Sequence, residues 1–101
     1  MKSPLLFLVF NRPLVTERVF KAIRKAKPPK LYIACDGPRQ QRYDEARLVE
    51  QVKQVCARVD WDCSVRTLYR TSNLGCRLAV SSAISWFFAN EDSGVILEDD
   101  C

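Results

Sequence analysis

Apolar residues fall along this chain in two alternating rhythms. Leu5 to Phe10 is an unbroken apolar run, too short for a helix and suited to a strand covered on both faces. Asn11-Arg12-Pro13 interrupts it, with Asn a plausible cap and Pro fitted to a first helical turn. Val15, Val19, Ala22, Ile23 and Ala26 then recur at helical spacing, and Lys27-Pro28-Pro29 ends the helix. Leu31 to Cys35 forms a second strand that delivers Asp36-Gly37-Pro38, followed by the polar loop Arg39 to Arg42. Leu48, Val52, Val55 and Val59 mark a second helix, with Val49 and Cys56 widening its stripe; Asp44 and Glu45 near its start suit the positive end of the helix dipole. Cys63 to Tyr69 is β-rich and partly alternating, a third strand leading into the loop Arg70 to Gly75. Ala79, Val80, Ala83, Ile84, Phe87 and Phe88 give a third helix a broad apolar face, with Ser81, Ser82 and Ser85 opposite. After Asn90 to Gly94, Val95-Ile96-Leu97 is a fourth strand running into Glu98-Asp99-Asp100.

Four strands alternating with three helices predict a Rossmann-like α/β fold, an open parallel sheet with helices on both faces and strand order 3-2-1-4. Every strand then ends on one edge, where ligands bind in such sheets, and the switch point lies between strands one and four. That edge collects Asn11 and Arg12, Asp36, the loop around Asn73, and the three acids. Adjacent carboxylates repel: two unit charges about 5 Å apart cost roughly 3 kcal/mol at an effective dielectric near 20. A fold keeps such a cluster where water screens it or where a cation sits. Hard divalent cations, Mg²⁺ or Mn²⁺, take oxygen ligands and often only one or two protein carboxylates, with phosphate and water completing the shell.

Composition bounds the rest. At 101 residues and 48% hydrophobic content the chain is a single domain or part of one. The net charge of +4 is unevenly placed: residues 1 to 30 carry eight Lys and Arg against Glu17, a balance of +7, and residues 31 to 101 a balance of −3. No histidine is present, which removes Ser-His and Cys-His nucleophilic pairs. The five cysteines include no C-x-x-C pair, and Cys35, Cys56 and Cys76 sit among apolar residues; reduced, packed thiols in a cytoplasmic protein are expected. The six-residue apolar run near the N-terminus lacks a cleavage signal, and no window approaches the roughly 18 apolar residues of a membrane span. With three glycines, no phosphate-cradling glycine loop is possible. Receiver domains and haloacid-dehalogenase-type phosphatases need acids after strand one, where this chain has Asn11-Arg12.

The segments FLVFNRP (Phe7 to Pro13), IACDGPR (Ile33 to Arg39), NLGCRLAVSSAISWFF (Asn73 to Phe88) and GVILEDD (Gly94 to Asp100) together resemble the nucleotide-binding half of a GT-A glycosyltransferase. The likeness is nearest to the N-acetylglucosaminyltransferase I-like and family 2 types of nucleotide-diphospho-sugar transferase, and it spans nearly the whole chain in order. The resemblance implies that Asp100 is the metal-coordinating member of a D-x-D-like motif and that Glu98 and Asp99 lie against sugar and ribose. It implies that Asp36 contacts uracil, that Arg12 helps hold the base, and that Asn73 and Gly75 belong to a loop near the donor. For those last two, a turn and helix cap is the competing assignment. The implied cofactor is Mn²⁺ or Mg²⁺, the implied donor a nucleotide-diphosphate sugar such as a UDP-sugar, and the implied acceptor a glycan, lipid or protein. In such enzymes the catalytic base lies in an acceptor-binding half after the D-x-D, so no catalytic residue is assigned and the chain is expected to be a C-terminally truncated portion, inactive alone. A membrane-surface association stays open. The competing reading is a non-catalytic α/β binding module whose basic N-terminal third engages an anionic partner; nucleic acid is not expected, because no aromatic residues interleave the basic ones.

Overall fold

The computed structural model describes residues 1–99. Its elements are β1 (Leu5–Val9), α1 (Pro13–Ala26), β2 (Lys30–Cys35), α2 (Glu45–Cys56), β3 (Ser64–Tyr69), α3 (Cys76–Asn90) and β4 (Val95–Glu98). The sheet is parallel throughout, in the order β3-β2-β1-β4, a Rossmann-like open arrangement. Leu5 stands opposite Leu31 on one side and Val95 on the other, so β1 is central and its neighbours on either side come from distant parts of the sequence.

Burial follows from that position. All five residues of β1 are buried, and so are Leu31 to Cys35 of β2, because helices cover both faces. Leu5, Phe7, Val9, Leu31, Ile33 and Cys35 face one way and pack with Phe20 and Ile23 of α1 and Val49, Val52 and Val55 of α2. Leu6, Leu8, Tyr32 and Ala34 face the other way and meet Ala83 and Phe87 of α3. Burying a Leu or Phe side chain completely is worth about 1.5–3 kcal/mol, and Leu6 and Phe7 are both at 0% exposure. The two central strands therefore anchor both layers at once. The outer strands are less covered, and Val65 of β3 and Val95 of β4 are exposed.

Helix ends show how local chemistry sets the connections. Pro13 occupies the first turn of α1, as its missing N–H allows. The N-cap is Arg12 rather than Asn11, and the Asn11 side chain instead donates to Glu45 Oε2 at 3.0 Å. At its other end Lys27 turns left-handed, with φ of 50°, and its N–H donates to the Ile23 carbonyl at 2.9 Å. Pro28 follows, fully buried, and its carbonyl accepts from the Trp61 indole N–H at 2.9 Å. In α3 only Ala83 and Phe87 are buried, while Leu78 and Phe88 are exposed and the Ser82 hydroxyl is half-buried. The apolar and serine faces are thus less segregated than helical spacing predicts.

Cys35, Cys56 and Cys63 are free thiols. Cys76 departs from the expectation of a reduced, packed thiol: it is exposed at the start of α3 and disulfide-bonded. No helix among the described residues is long and apolar enough to cross a membrane.

Candidate functional site

A cavity of about 300 Å³ opens at the carboxyl edge of the sheet, where the ends of all four strands meet the start of α3. Leu8, Ala34 and Leu68 supply an apolar floor, and the polar lining comes from Arg12, Asp36, Arg39, Arg70, Glu98 and Asp99. The open-sheet topology accounts for its place: α1, leaving β1, and α3, leaving β3, cover opposite faces of the sheet, so the connections at its carboxyl edge diverge and leave a crevice.

At the end of β2, Asp36 is 7% exposed and spends both oxygens on the chain itself. Its Oδ1 accepts from the backbone N–H of Gly37 and of Leu74, each at 2.8 Å. Its Oδ2 accepts from Gly75 N–H at 3.0 Å and from Asn73 Nδ2 at 3.1 Å. A carboxylate offers about four lone-pair positions, so this one is saturated. Asn73 adds a second bond, to the Gly37 carbonyl at 2.7 Å, and Gly75, at φ of 89°, is the N-cap of α3. Asn73 and Gly75 thus form the turn and helix cap that Asp36 locks against the end of β2.

A second carboxylate works one layer behind the cavity. Glu45 opens α2 and is 4% exposed; Oε1 accepts from the Arg39 backbone N–H and Nε, both at 2.8 Å, and Oε2 accepts from Arg39 Nη2 at 2.6 Å. With the Asn11 bond, Glu45 joins the loops leaving β1 and β2. The Arg39 hydrogen bonds hold its carboxyl at about 2, well below the usual 4.5, against the opposing effect of burial. Arg39 is thereby fixed with its guanidinium 5.7 Å from the Phe10 ring centroid, a cation–π distance. The sequence pattern places Arg39 in a polar loop and Glu45 as a complement to the helix dipole. The available signal was position for Arg39 alone, four residues past the carboxyl end of β2; Glu45, at the start of α2, carried none beyond its charge.

Arg70, directly after β3, was missed in the same way. Its N–H continues the ladder to the Cys35 carbonyl at 3.0 Å, and its Nη2 donates to Ser82 Oγ at 3.3 Å.

The β4 end supplies the acids. Side chains alternate along a strand, so Glu98, opposite Leu8, is on the α3 side and exposed, and Asp99 is on the α1 side and 7% exposed. Asp99 N–H donates to the Leu8 carbonyl at 3.1 Å, and Asp99 Oδ2 accepts from the Thr16 hydroxyl at 3.1 Å. Thr16 is itself at 0% exposure, and the same hydroxyl reaches the Arg12 carbonyl at 2.7 Å; its single proton is shared between the two acceptors. Asp99 consequently lies against the first turn of α1, where the helix dipole favours a negative charge.

Arg12, Asp36, Glu98 and Asp99 line this one cavity. Asp100, the residue assigned to the metal, lies outside the described residues. Among the described residues no group of three or more acidic or cysteine side chains is placed to hold a metal ion. Glu98 and Asp99 leave the end of β4 towards opposite faces of the sheet. The donor set fits a Mg²⁺ or Mn²⁺ site only of the kind in which one protein carboxylate is supplemented by phosphate and water. Among the described residues no activated thiol adjoins the cavity: burial, reinforced by Asp99 and Asp36, pushes the Cys35 thiol up to about 12, despite the opposing influence of Lys53.

No protein-family model matches the chain, and neither a curated protein nor a solved structure matches it.

Proposed function

We propose that this chain is the donor-binding half of a metal-dependent glycosyltransferase that takes a nucleotide-diphosphate sugar, a UDP-sugar, as its donor. The observation that carries this reading is the single cavity at the switch point, which joins three arginines, buried and exposed acids and an apolar floor. Guanidinium groups pair with phosphoryl oxygens, carboxylates with sugar hydroxyls or a divalent cation, and an apolar floor with the face of a base. In this reading Arg12 steadies the base and Glu98 and Asp99 receive sugar and ribose hydroxyls. Asp100 holds Mn²⁺ or Mg²⁺ against the diphosphate. Asp36 would meet the uracil only by giving up one of its present hydrogen bonds; as it stands, it shapes the wall beside the base. The metal, when bound, supplies Lewis-acid stabilisation of the departing phosphate.

The acceptor is a glycan, lipid or protein, and the proposed location is the cytoplasm. The free thiols of Cys35, Cys56 and Cys63 support that location, and the disulfide at Cys76 is the observation against it. The alternative reading rests on the cations of the basic helix, one of which is paired on the surface. Arg24 is occupied by Asp60 at 3.1 Å and the Arg58 carbonyl at 3.2 Å.

Calorimetric titration with UDP, with and without Mn²⁺, tests the reading. Metal-dependent binding that disappears in Asp100→Asn, with the far-UV spectrum unchanged, is the expected result. An Asp100→Asn chain that binds UDP and Mn²⁺ as well as the parent would remove the metal assignment.

A further inference from the structure

The donors around the cavity are unevenly satisfied. Along the sheet from β3 to β4, the charged residues at strand ends run Arg70, then Asp36 and Arg39, then Arg12, then Glu98 and Asp99. Asp36 is saturated by backbone and Asn73 donors. Arg39 is gripped along one edge by Glu45, which leaves Nη1 with no protein acceptor among the described residues. Arg70 is half-buried, and among the described residues its guanidinium meets a single acceptor, the neutral Ser82 hydroxyl at 3.3 Å. A guanidinium carries five N–H donors in a fixed fork, and a partly buried charge without a counter-ion is costly. Such a group lining a concave pocket is matched by a ligand with paired oxyanions, since the fork geometry fits phosphoryl oxygens two at a time.

We propose that Arg39 and Arg70 form an anion subsite at the β2–β3 end of the cavity that binds a phosphoryl group directly, without a divalent cation. The identity of the ligand as a nucleotide rests on the donor-binding reading; the subsite does not. Glu45 is a positioning residue here. It holds the plane of Arg39 by a two-point contact and so leaves the remaining N–H groups at a fixed angle to the cavity.

Isothermal titration of the whole chain with inorganic pyrophosphate in excess EDTA is the test. Pyrophosphate is expected to bind, and Arg70→Gln to weaken it about tenfold, the loss of one charge-assisted bidentate contact. Arg70→Lys, which keeps the charge and loses the fork, is expected to recover only part of that affinity. Arg18→Gln with Lys21→Gln removes exposed charges on α1, away from the cavity, and is expected to change affinity by less than about twofold because it tests only screened charge. Far-UV spectra check that each variant is folded. No heat of binding in EDTA, or equal weakening by the α1 and Arg70 variants, would overturn the subsite. Metal-free binding of pyrophosphate with no added affinity for UDP in any condition would keep the subsite and overturn the nucleotide reading.

Discussion

Glu45 shows at the scale of one residue how a buried carboxylate is kept charged. Arg39 supplies three donors and Asn11 a fourth, and together they outweigh burial and lower its carboxyl to about 2 from 4.5. The folded state therefore binds this proton less readily than the unfolded chain does. Its contribution to stability is complete above about pH 4.5 and is lost as pH falls towards 2. In urea unfolding across this range, Glu45→Gln is expected to lower the midpoint most at neutral pH. The gap to the parent should close between pH 4.5 and 2, and a gap independent of pH would contradict the ion pair. None of this was legible in the sequence. Charge and helix position marked Glu45 as acidic and near an N-terminus, but its partners Arg39 and Asn11 are chosen by how two strand-end loops converge. The same holds for Asp36: its placement at a strand end was readable, and its saturation by Leu74 and Gly75 N–H groups was not.

The elements themselves were largely written in the hydrophobic pattern, for a physical reason. Strands covered on both faces must be apolar throughout, so β1 and β2 stood out as unbroken runs. Amphipathic α1 and α2 announced their buried stripes, although Val59 falls beyond the end of α2 and packs on the core from the following loop. At the edge β3 was fainter, because only one part of it is covered, and the strand begins at Ser64, one residue later than its β-rich stretch. Contacts between elements depend on details that periodicity does not carry. Gly94, before β4, is one: a Cβ there would fall 2.4 Å from Phe87 Cζ and 2.8 Å from the Pro4 carbonyl. Phe87 is fully buried and stacked edge-on with Tyr32, at 4.9 Å between centroids, so its ring has no room to yield. Gly94→Ala is therefore expected to destabilise the chain by about 1–3 kcal/mol, the usual cost of overpacking, as read from urea midpoints. A neutral effect would mean that β4 shifts away from α3 without penalty.

At the scale of the whole molecule, one sheet divides two apolar layers that hardly touch except through it. The α1–α2 layer and the α3 layer share β1 and β2, whose side chains alternate between them. The order β3-β2-β1-β4 places every strand pairing across a long stretch of sequence, an arrangement that folds slowly for its size. It also brings strand ends that are far apart in the chain to one cavity, which is why the alternation of elements points to the edge where that cavity lies and not to any of its contacts. The chain's two tryptophans happen to be divided by the same sheet. Trp61 lies against Phe20 in one layer, with 5.9 Å between ring centroids, and Trp86 lies edge-on to Tyr32 in the other, at 5.2 Å. Each half of the interior thus carries its own fluorophore. Replacing either indole with phenylalanine leaves an emission signal that watches one side alone, and the two traces laid over each other report whether the molecule melts as one body or sheds a layer first.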